Sequence, residues 1–164
     1  MAKLVNEIEL QEEDTQKGRF LTFKIGEEVF GIEIKHVTEI VGIQPITNIP
    51  EVPEYVKGII NLRGKIIPVI DVRLKFKKKP VEYNDRTCII VIDIEDVSIG
   101  LIVDNVSEVV TITDENIVPP PTYKTGFQNR YIKGVGKSEE GVKLLLDCNK
   151  LLTDEEIENI NEII

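Results

Sequence analysis

Histidine is almost missing from this chain: among 164 residues there is one, His36. Cysteine is also scarce, with only Cys88 and Cys148, tryptophan is absent, and aromatic residues amount to 5%. One histidine and two distant cysteines cannot assemble a tetrahedral His/Cys metal centre. They offer neither a C-x-x-C pair nor a disulfide framework. Each cysteine stands among apolar neighbours, in Thr87-Cys88-Ile89-Ile90 and Leu146-Asp147-Cys148, where a thiol behaves as a small hydrophobe. That usage points to a reducing, cytoplasmic compartment. No apolar run approaches the roughly 18 residues of a membrane span. The N-terminal stretch carries Glu7, Glu9, Glu12, Glu13 and Asp14 and has no apolar core of the kind a signal peptide requires.

Positive charge is in the minority as well. Twenty basic side chains face 29 acidic ones, for a net charge of −9. Binding to nucleic acid rests on clustered Lys and Arg that displace counterions from phosphates. The single basic cluster, Lys75 to Lys79, is short, is broken by Phe76, and reads as a solvated loop. Nucleic acid is therefore not an expected partner. The chain contains no H-E-x-x-H, G-x-S-x-G, P-loop or EF-hand pattern. Gly134-Val135-Gly136 reads as strand or turn glycines, not as a phosphate cradle. His36 has no evident orienting partner or nucleophile and reads as a surface structural residue. An enzyme is not expected.

What the chain does contain is β pattern. Phe20 to Ile25 partly alternates apolar and polar, Gly26-Glu27-Glu28 turns, and Val29 to Ile34 returns. The spacing of Ile34, Val37, Ile40 and Val41 predicts a short helical turn next. Pro45, Pro50 and Pro53 forbid regular helix between residues 43 and 53. Strands are expected over Ile59–Leu62 and Lys65–Val72, joined by a tight turn at Arg63-Gly64; Pro68 implies an edge or a bulge. Cys88–Ile94 and Val97–Val103 form another hairpin around Glu95-Asp96, and Val142–Cys148 is a last strand. Pro119-Pro120-Pro121 marks a rigid extended loop. Thr153-Asp154-Glu155-Glu156 has capping-box spacing, and Ile157, Ile160 and Ile164 share one helical face, predicting a C-terminal helix over 154–164 whose stripe joins the core.

The chain also echoes itself. Phe30 to Val41 aligns with Ile99 to Val110, sharing Gly, Val, Glu and the final Val. Tyr55-Val56-Lys57-Gly58 aligns with Tyr131-Ile132-Lys133-Gly134, and Ile70-Asp71-Val72 with Leu146-Asp147-Cys148. The order of blocks is the same in both halves, so the chain reads as two copies of one β unit of about 70 residues. The copies differ informatively at one turn, where Asn61-Leu62-Arg63-Gly64 faces Lys137-Ser138-Glu139-Glu140. An apolar residue and an Arg at a hairpin tip suggest a demand placed on the first copy only.

The run Tyr55-Val56-Lys57-Gly58-Ile59-Ile60-Asn61-Leu62-Arg63-Gly64, continuing through Ile66-Ile67-Pro68-Val69-Ile70-Asp71-Val72-Arg73, resembles the signature of the CheW family of chemotaxis coupling proteins. Val37-Thr38-Glu39-Ile40 and Asp104-Asn105-Val106-Ser107-Glu108-Val109 share in it. The resemblance implies an all-β fold of two tandem five-stranded SH3-like barrels packed together, with a short C-terminal helix. The expected organisation is a flexible acidic arm over 1–18 and a CheW-like domain over 19–153. Within that domain the first barrel is expected near 29–80 and the second near 86–148, terminal strands being free to exchange. It further implies an adaptor that couples transmembrane chemoreceptors to the histidine kinase CheA, without catalysis or cofactor. Expected partners are the CheA regulatory domain and the cytoplasmic tips of receptors, and the protein would meet the inner face of the membrane only through those receptors. Val37, Glu39, Gly58 and Arg63 match positions that face the receptor, in a groove between the barrels. The kinase-facing residues are not assigned. Alternatives are a CheW-like scaffold in another two-component pathway and a small-barrel ligand or oligonucleotide binder. The last would need basic and aromatic residues on one face.

Overall fold

Among the described residues, four tight hairpins built from two-residue turns organise the chain. A computed structural model describes residues 17–120 and 130–163. Its first strands, β1 (Arg19–Ile25) and β2 (Glu28–Glu33), join through Gly26, whose φ is 62°. A single 3-10 turn, Ile34–His36, leads into β3 (Val37–Gly42). The predicted helical turn is thus confined to three residues; beyond it the spacing of Val37, Ile40 and Val41 belongs to a strand carrying a bulge, where Val37 faces Ile92 and Glu39 faces Val91. Next come β4 (Val56–Leu62), β5 (Lys65–Asp71) and a one-turn helix, α1 (Val72–Lys75), capped by the Asp71 carboxylate. The second half runs through β6 (Cys88–Ile94), β7 (Val97–Val103), β8 (Asn105–Thr111), the short β9 (Ile117–Val118), β10 (Ile132–Ser138) and β11 (Gly141–Leu146). Two helices close it: α2 (Cys148–Leu151), capped by Asp147, and α3 (Asp154–Ile163). Cys148 therefore begins a helix and does not end the last strand. Residues 1–16 of the acidic arm, Pro121 and Ile164 lie outside the described residues.

The strands form a five-stranded sheet in the order β3-β6-β7-β5-β4 and a six-stranded sheet in the order β8-β1-β2-β11-β10-β9. Neither follows the linear split near 29–80 and 86–148. The β1–β2 hairpin, early in the chain, sits between strands of the second half, and the β6–β7 hairpin sits between strands of the first. Each copy thus lends a whole hairpin to the other's sheet. The cause is local. Only Asp104 separates β7 from β8, and only one 3-10 turn separates β2 from β3, so the chain bends sharply out of one sheet into the other. The two exchanges match in detail: β2 runs parallel to β11 with Gly31 opposite Leu145, and β7 runs parallel to β5 with Gly100 opposite Val69. A Cβ on Gly100 would sit 2.7 Å from the Ile89 Cγ2 and 2.8 Å from the Val69 Cγ1, which explains why the repeat keeps glycine there.

Three apolar clusters result. One fills the five-stranded sheet around Ile60, Ile67, Val69, Ile89, Val91 and Ile102. A small one fills the six-stranded sheet around Phe20, Ile112 and Leu145. The largest joins the sheets, running from Phe23, Ile25 and Phe30 across Ile90, Ile92 and Leu101 to Tyr131, Leu146 and Ile157. Phe23, Phe30, Phe76 and Tyr131 pack ring against ring through this seam, with centroids 5.4–5.8 Å apart, the outer two pairs stacked and Phe30–Phe76 tilted by 40°. The Lys-rich loop is not simply solvated. Lys75 reaches Glu156 on α3 at 2.6 Å and Lys78 reaches Glu28 at 2.5 Å, so the loop is tied to both the C-terminal helix and the exchanged hairpin.

Candidate interaction site

The hairpin joining β4 to β5 has Arg63 and Gly64 as its two central residues, with Leu62 paired to Lys65. Both have positive φ, 52° at Arg63 and 86° at Gly64, which is the signature of the type I′ turn that matches strand twist. The Asn61 side chain fastens the turn by accepting the Gly64 N–H at 2.8 Å. An arginine in left-handed conformation is unusual, since Asn or Gly is preferred there. The turn aims the guanidinium outward, and the side chain is 70% exposed.

The strand that meets this tip is β3. Its Glu39 carboxylate pairs with the Arg63 Nη2. The hydrogen bond that Arg63 donates to that carboxylate, with the carboxylate's charge, holds the Arg63 pKa above its usual value, against an opposing effect of burial. Around the pair lies a cleft of about 350 Å3 lined by Thr38, Glu39, Leu62, Arg63, Lys65, Ile67, Val91, Asp93 and Ser98. A second polar chain crosses it: Lys65 donates to the Ser98 hydroxyl at 2.8 Å, and Ser98 donates to Asp93 at 2.7 Å. The cleft thus presents two cations and two carboxylates, held by hairpin tips and a bulged strand, and can meet a partner's charged and hydrogen-bonding groups in a fixed pattern.

Of the residues singled out from sequence, Glu39 and Arg63 are in direct contact. Val37, two residues before Glu39, is half-buried and packs against the seam cluster. Gly58 lies apart from the cleft, at a bulge in β4 with a φ of 144°, pressed against the Thr47 backbone. Every residue lining the cleft comes from the five-stranded sheet and the turns within it, so the cleft is the property of one barrel and not of the seam. Lys65, Asp93 and Ser98 were missed. Their signal was available in the β6–β7 hairpin, where Asp93 pairs with Ser98 across a turn of Glu95 and Asp96, both at positive φ. His36, on the 3-10 turn, is partly buried; that burial, with the neighbouring charge of Lys35, lowers its pKa. Among the described residues no group of three or more His, Cys, Asp or Glu is placed to hold a metal, and no helix is long and apolar enough to cross a membrane.

Comparison with known proteins converges on one family. The CheW-like domain family matches residues 19–156. The chain is 37% identical to the chemotaxis protein CheW of Klebsiella aerogenes over 150 residues, covering 92% of this chain and 90% of the relative. It is 34% identical to the chemotaxis protein CheW of Treponema pallidum, covering 87% and 86% respectively. The solved structure of the scaffolding protein TtCheW from Thermoanaerobacter tengcongensis superposes with a TM-score of 0.78 at 36% identity, over 85% of this chain and 94% of that one.

Proposed function

The chain belongs to the CheW-like family, an all-β scaffold of two SH3-like barrels, and we propose that it acts as a chemotaxis adaptor coupling transmembrane receptors to the histidine kinase CheA without catalysis. One observation carries the assignment of the receptor side: the exposed Arg63, fixed in a left-handed turn and paired with Glu39, stands on a turn that the second copy of the repeat does not reproduce. A strained backbone position bearing a directed, multidentate donor is a recurrent form of binding hot spot. The receptor tip meets Arg63 with an acceptor that competes for the guanidinium with Glu39. Glu39 keeps the arginine oriented until then. Val37 supports the strand that carries Glu39, and Gly58 supports the local backbone. The kinase's regulatory domain engages a different surface of the same rigid body, so that both partners are held at one time.

Titration calorimetry of the purified chain, first with the regulatory domain of CheA and then with a receptor signalling tip from the same organism, tests this reading. Saturable binding of both in one complex is expected. Arg63→Ala is expected to lower receptor affinity about thirtyfold, as removal of a hot-spot side chain does, with thermal stability and kinase binding unchanged. Equal receptor affinity for Arg63→Ala and parent would remove Arg63 from the interface. Binding to neither partner by a folded protein would leave only the fold in common with the family.

A further inference from the structure

Lys75 is the most enclosed ion-paired cation of the described residues, and the interaction site has no use for it. Its side chain is 8% exposed, and its Nζ lies 4.1 Å from the centroid of the Tyr55 ring and 5.6 Å from that of Tyr131. These tyrosines are counterparts in the repeat. Each leads into a strand, β4 of the five-stranded sheet or β10 of the six-stranded one, and their carbonyls accept equivalent hydrogen bonds from Asp71 N and Asp147 N at 2.8 Å. The ammonium thus sits between the aromatic faces of the two barrels. Its carboxylate partner comes from α3: Glu156 Oε2 accepts Lys75 Nζ at 2.6 Å and also accepts the Tyr55 hydroxyl. The other oxygen of Glu156 accepts the Thr153 N–H at 3.1 Å, closing the capping box at the start of the helix. A single carboxylate therefore starts α3, satisfies Lys75 and holds a tyrosine from the first barrel.

We infer that α3 is a detachable strap across the seam between the barrels, and that the Lys75–Glu156 pair is its clasp. The helix has ten residues, below the length at which a helix holds itself together in water, so it persists by docking. Docking rests on Ile157 and Ile160, which enter the seam cluster, and on Glu156. No strand pairs with α3. One flank is left open by a groove of about 290 Å3 running between the helix and the turn before β4, lined by Val52, Pro53, Tyr55, Asn159 and Ile160 among others. An element held by a few side-chain contacts, outside the hydrogen-bonded ladders, opens at lower cost than the strands beneath it. When it opens, Lys75 is left between two rings with no ion-pair partner among the described residues. A buried cation in that position strongly favours return of the helix, which makes the pair and not the apolar stripe alone the control point.

Hydrogen exchange read by mass spectrometry on the full chain tests the strap. In the parent, amides of α3 are expected to exchange faster than those of β6 and β7, showing an opening that leaves the barrels folded. Glu156→Gln is expected to speed exchange in α3 about thirtyfold, less than the cost of breaking a fully buried pair because the Glu156 side chain is 23% exposed, while β6 and β7 keep parent rates. Lys75→Met added to Glu156→Gln removes the stranded charge and is expected to bring α3 back to within about threefold of parent, because an apolar replacement of both partners is close to neutral. Three results would each overturn the inference: α3 exchanging only as slowly as β6 and β7 in the parent, unchanged α3 exchange in Glu156→Gln, or no recovery in the double variant. The strap does not depend on the identity of any partner, so its failure would leave the adaptor assignment standing.

Discussion

Substituting Gly58 by alanine separates a residue that serves the fold from one that serves an interface. Gly58 occupies a φ of 144°, a conformation that side chains rarely adopt, at the bulge where β4 loses register with β5. Across from it the segment before β4 is held by a reciprocal pair of backbone hydrogen bonds, Thr47 N to Ile59 O and Ile59 N to Thr47 O, both 2.9 Å. A Cβ on residue 58 would stand 2.8 Å from the Thr47 carbonyl carbon, closer still to its oxygen, and 3.0 Å from the Ile46 Cγ2. A carbonyl fixed on both sides cannot rotate away as a side chain can. The substitution must therefore either twist residue 58 or push the Thr47 segment off the sheet. Holding alanine in this backbone region costs about 1–3 kcal/mol, and losing the two bridging hydrogen bonds costs about 1 kcal/mol each. The sum, about 3–5 kcal/mol, is a large part of the roughly 5–15 kcal/mol that holds a domain folded. For a chain of this size it corresponds to a melting temperature lower by about 6–20 °C. Urea unfolding followed by circular dichroism measures the loss, and calorimetry on the fraction that remains folded measures binding. The expected result is a large stability loss with receptor affinity per folded molecule close to parent. If Gly58→Ala stays within 0.5 kcal/mol of parent, roughly the spread of surface substitutions, the steric reasoning is wrong. Normal stability with lost affinity would make Gly58 itself a contact residue.

Two further outcomes follow from local geometry. The β6–β7 turn carries Glu95 at a φ of 48° and Asp96 at 67°, so Glu95→Asn with Asp96→Gly fits the type I′ preference and is expected to add about 1 kcal/mol in urea unfolding; no gain would mean that the turn does not hold this geometry in solution. Asp104 receives Arg73 at 2.8 and 2.5 Å and the Gly26 N–H at 2.7 Å, tying α1 to the exchanged β1–β2 hairpin. Burial pushes the Asp104 pKa up, but hydrogen bonds from Arg73 and Gly26 and the charges of Arg73 and Lys78 outweigh it, and the net value lies below the usual one. A carboxyl depressed on folding adds stability above its unfolded pKa and loses that stability as pH falls through the folded value. Asp104→Asn is accordingly expected to cost about 2 kcal/mol at pH 7, less than a fully buried pair because the side chains are 16% and 21% exposed. The difference from parent should shrink in acid below the carboxylate range, and a cost independent of pH would assign it to packing.

Most of the strands were legible because their turns are short and chemically marked. Gly26, Arg63-Gly64 and Glu95-Asp96 each sit between runs whose register the structure confirms pair by pair. The capping box at Thr153 and Glu156 was equally plain. Exchange of terminal strands was open from the sequence, but exchange of whole hairpins, the internal β6–β7 included, was not legible, and the reason is physical. Because the chain repeats, β2 meets in β11 nearly the same surface that β5 would offer: Leu145 stands where Val69 stands in the other sheet. Local pattern cannot distinguish the two pairings. The choice is made by the one-residue link at Asp104 and the 3-10 turn at Ile34–His36, whose tightness becomes visible only once strand ends are known. Lys75 was misread for a related reason. A charge in a Lys-rich loop looks solvated until an element 81 residues away brings a carboxylate to it.

The repeat also sorts the four residues singled out at the start. Val37, Glu39 and Gly58 recur in the second copy as Val106, Glu108 and Gly134. There Val106 faces Phe23 as Val37 faces Ile92, and Gly134 lies at the bulge of β10 under Ile117 as Gly58 lies under Ile46 and Thr47. Residues that hold the same place in both barrels are accounted for by what the barrels share, which is architecture. Arg63 has no such double, since Glu139 occupies the equivalent turn. With the arginine gone, the Glu108 carboxylate has no ion-pair partner among the described residues, although its backbone still exchanges hydrogen bonds with Thr22. The glutamate therefore belongs to the common scaffold, and the pair belongs to the first barrel alone. On the adaptor reading proposed above, recognition is to be sought where the two halves cease to be alike, and the Arg63 turn is such a place: all four of its residues differ from those of the second copy, and the positive φ of Arg63 and Gly64 has no counterpart at Glu139 and Glu140.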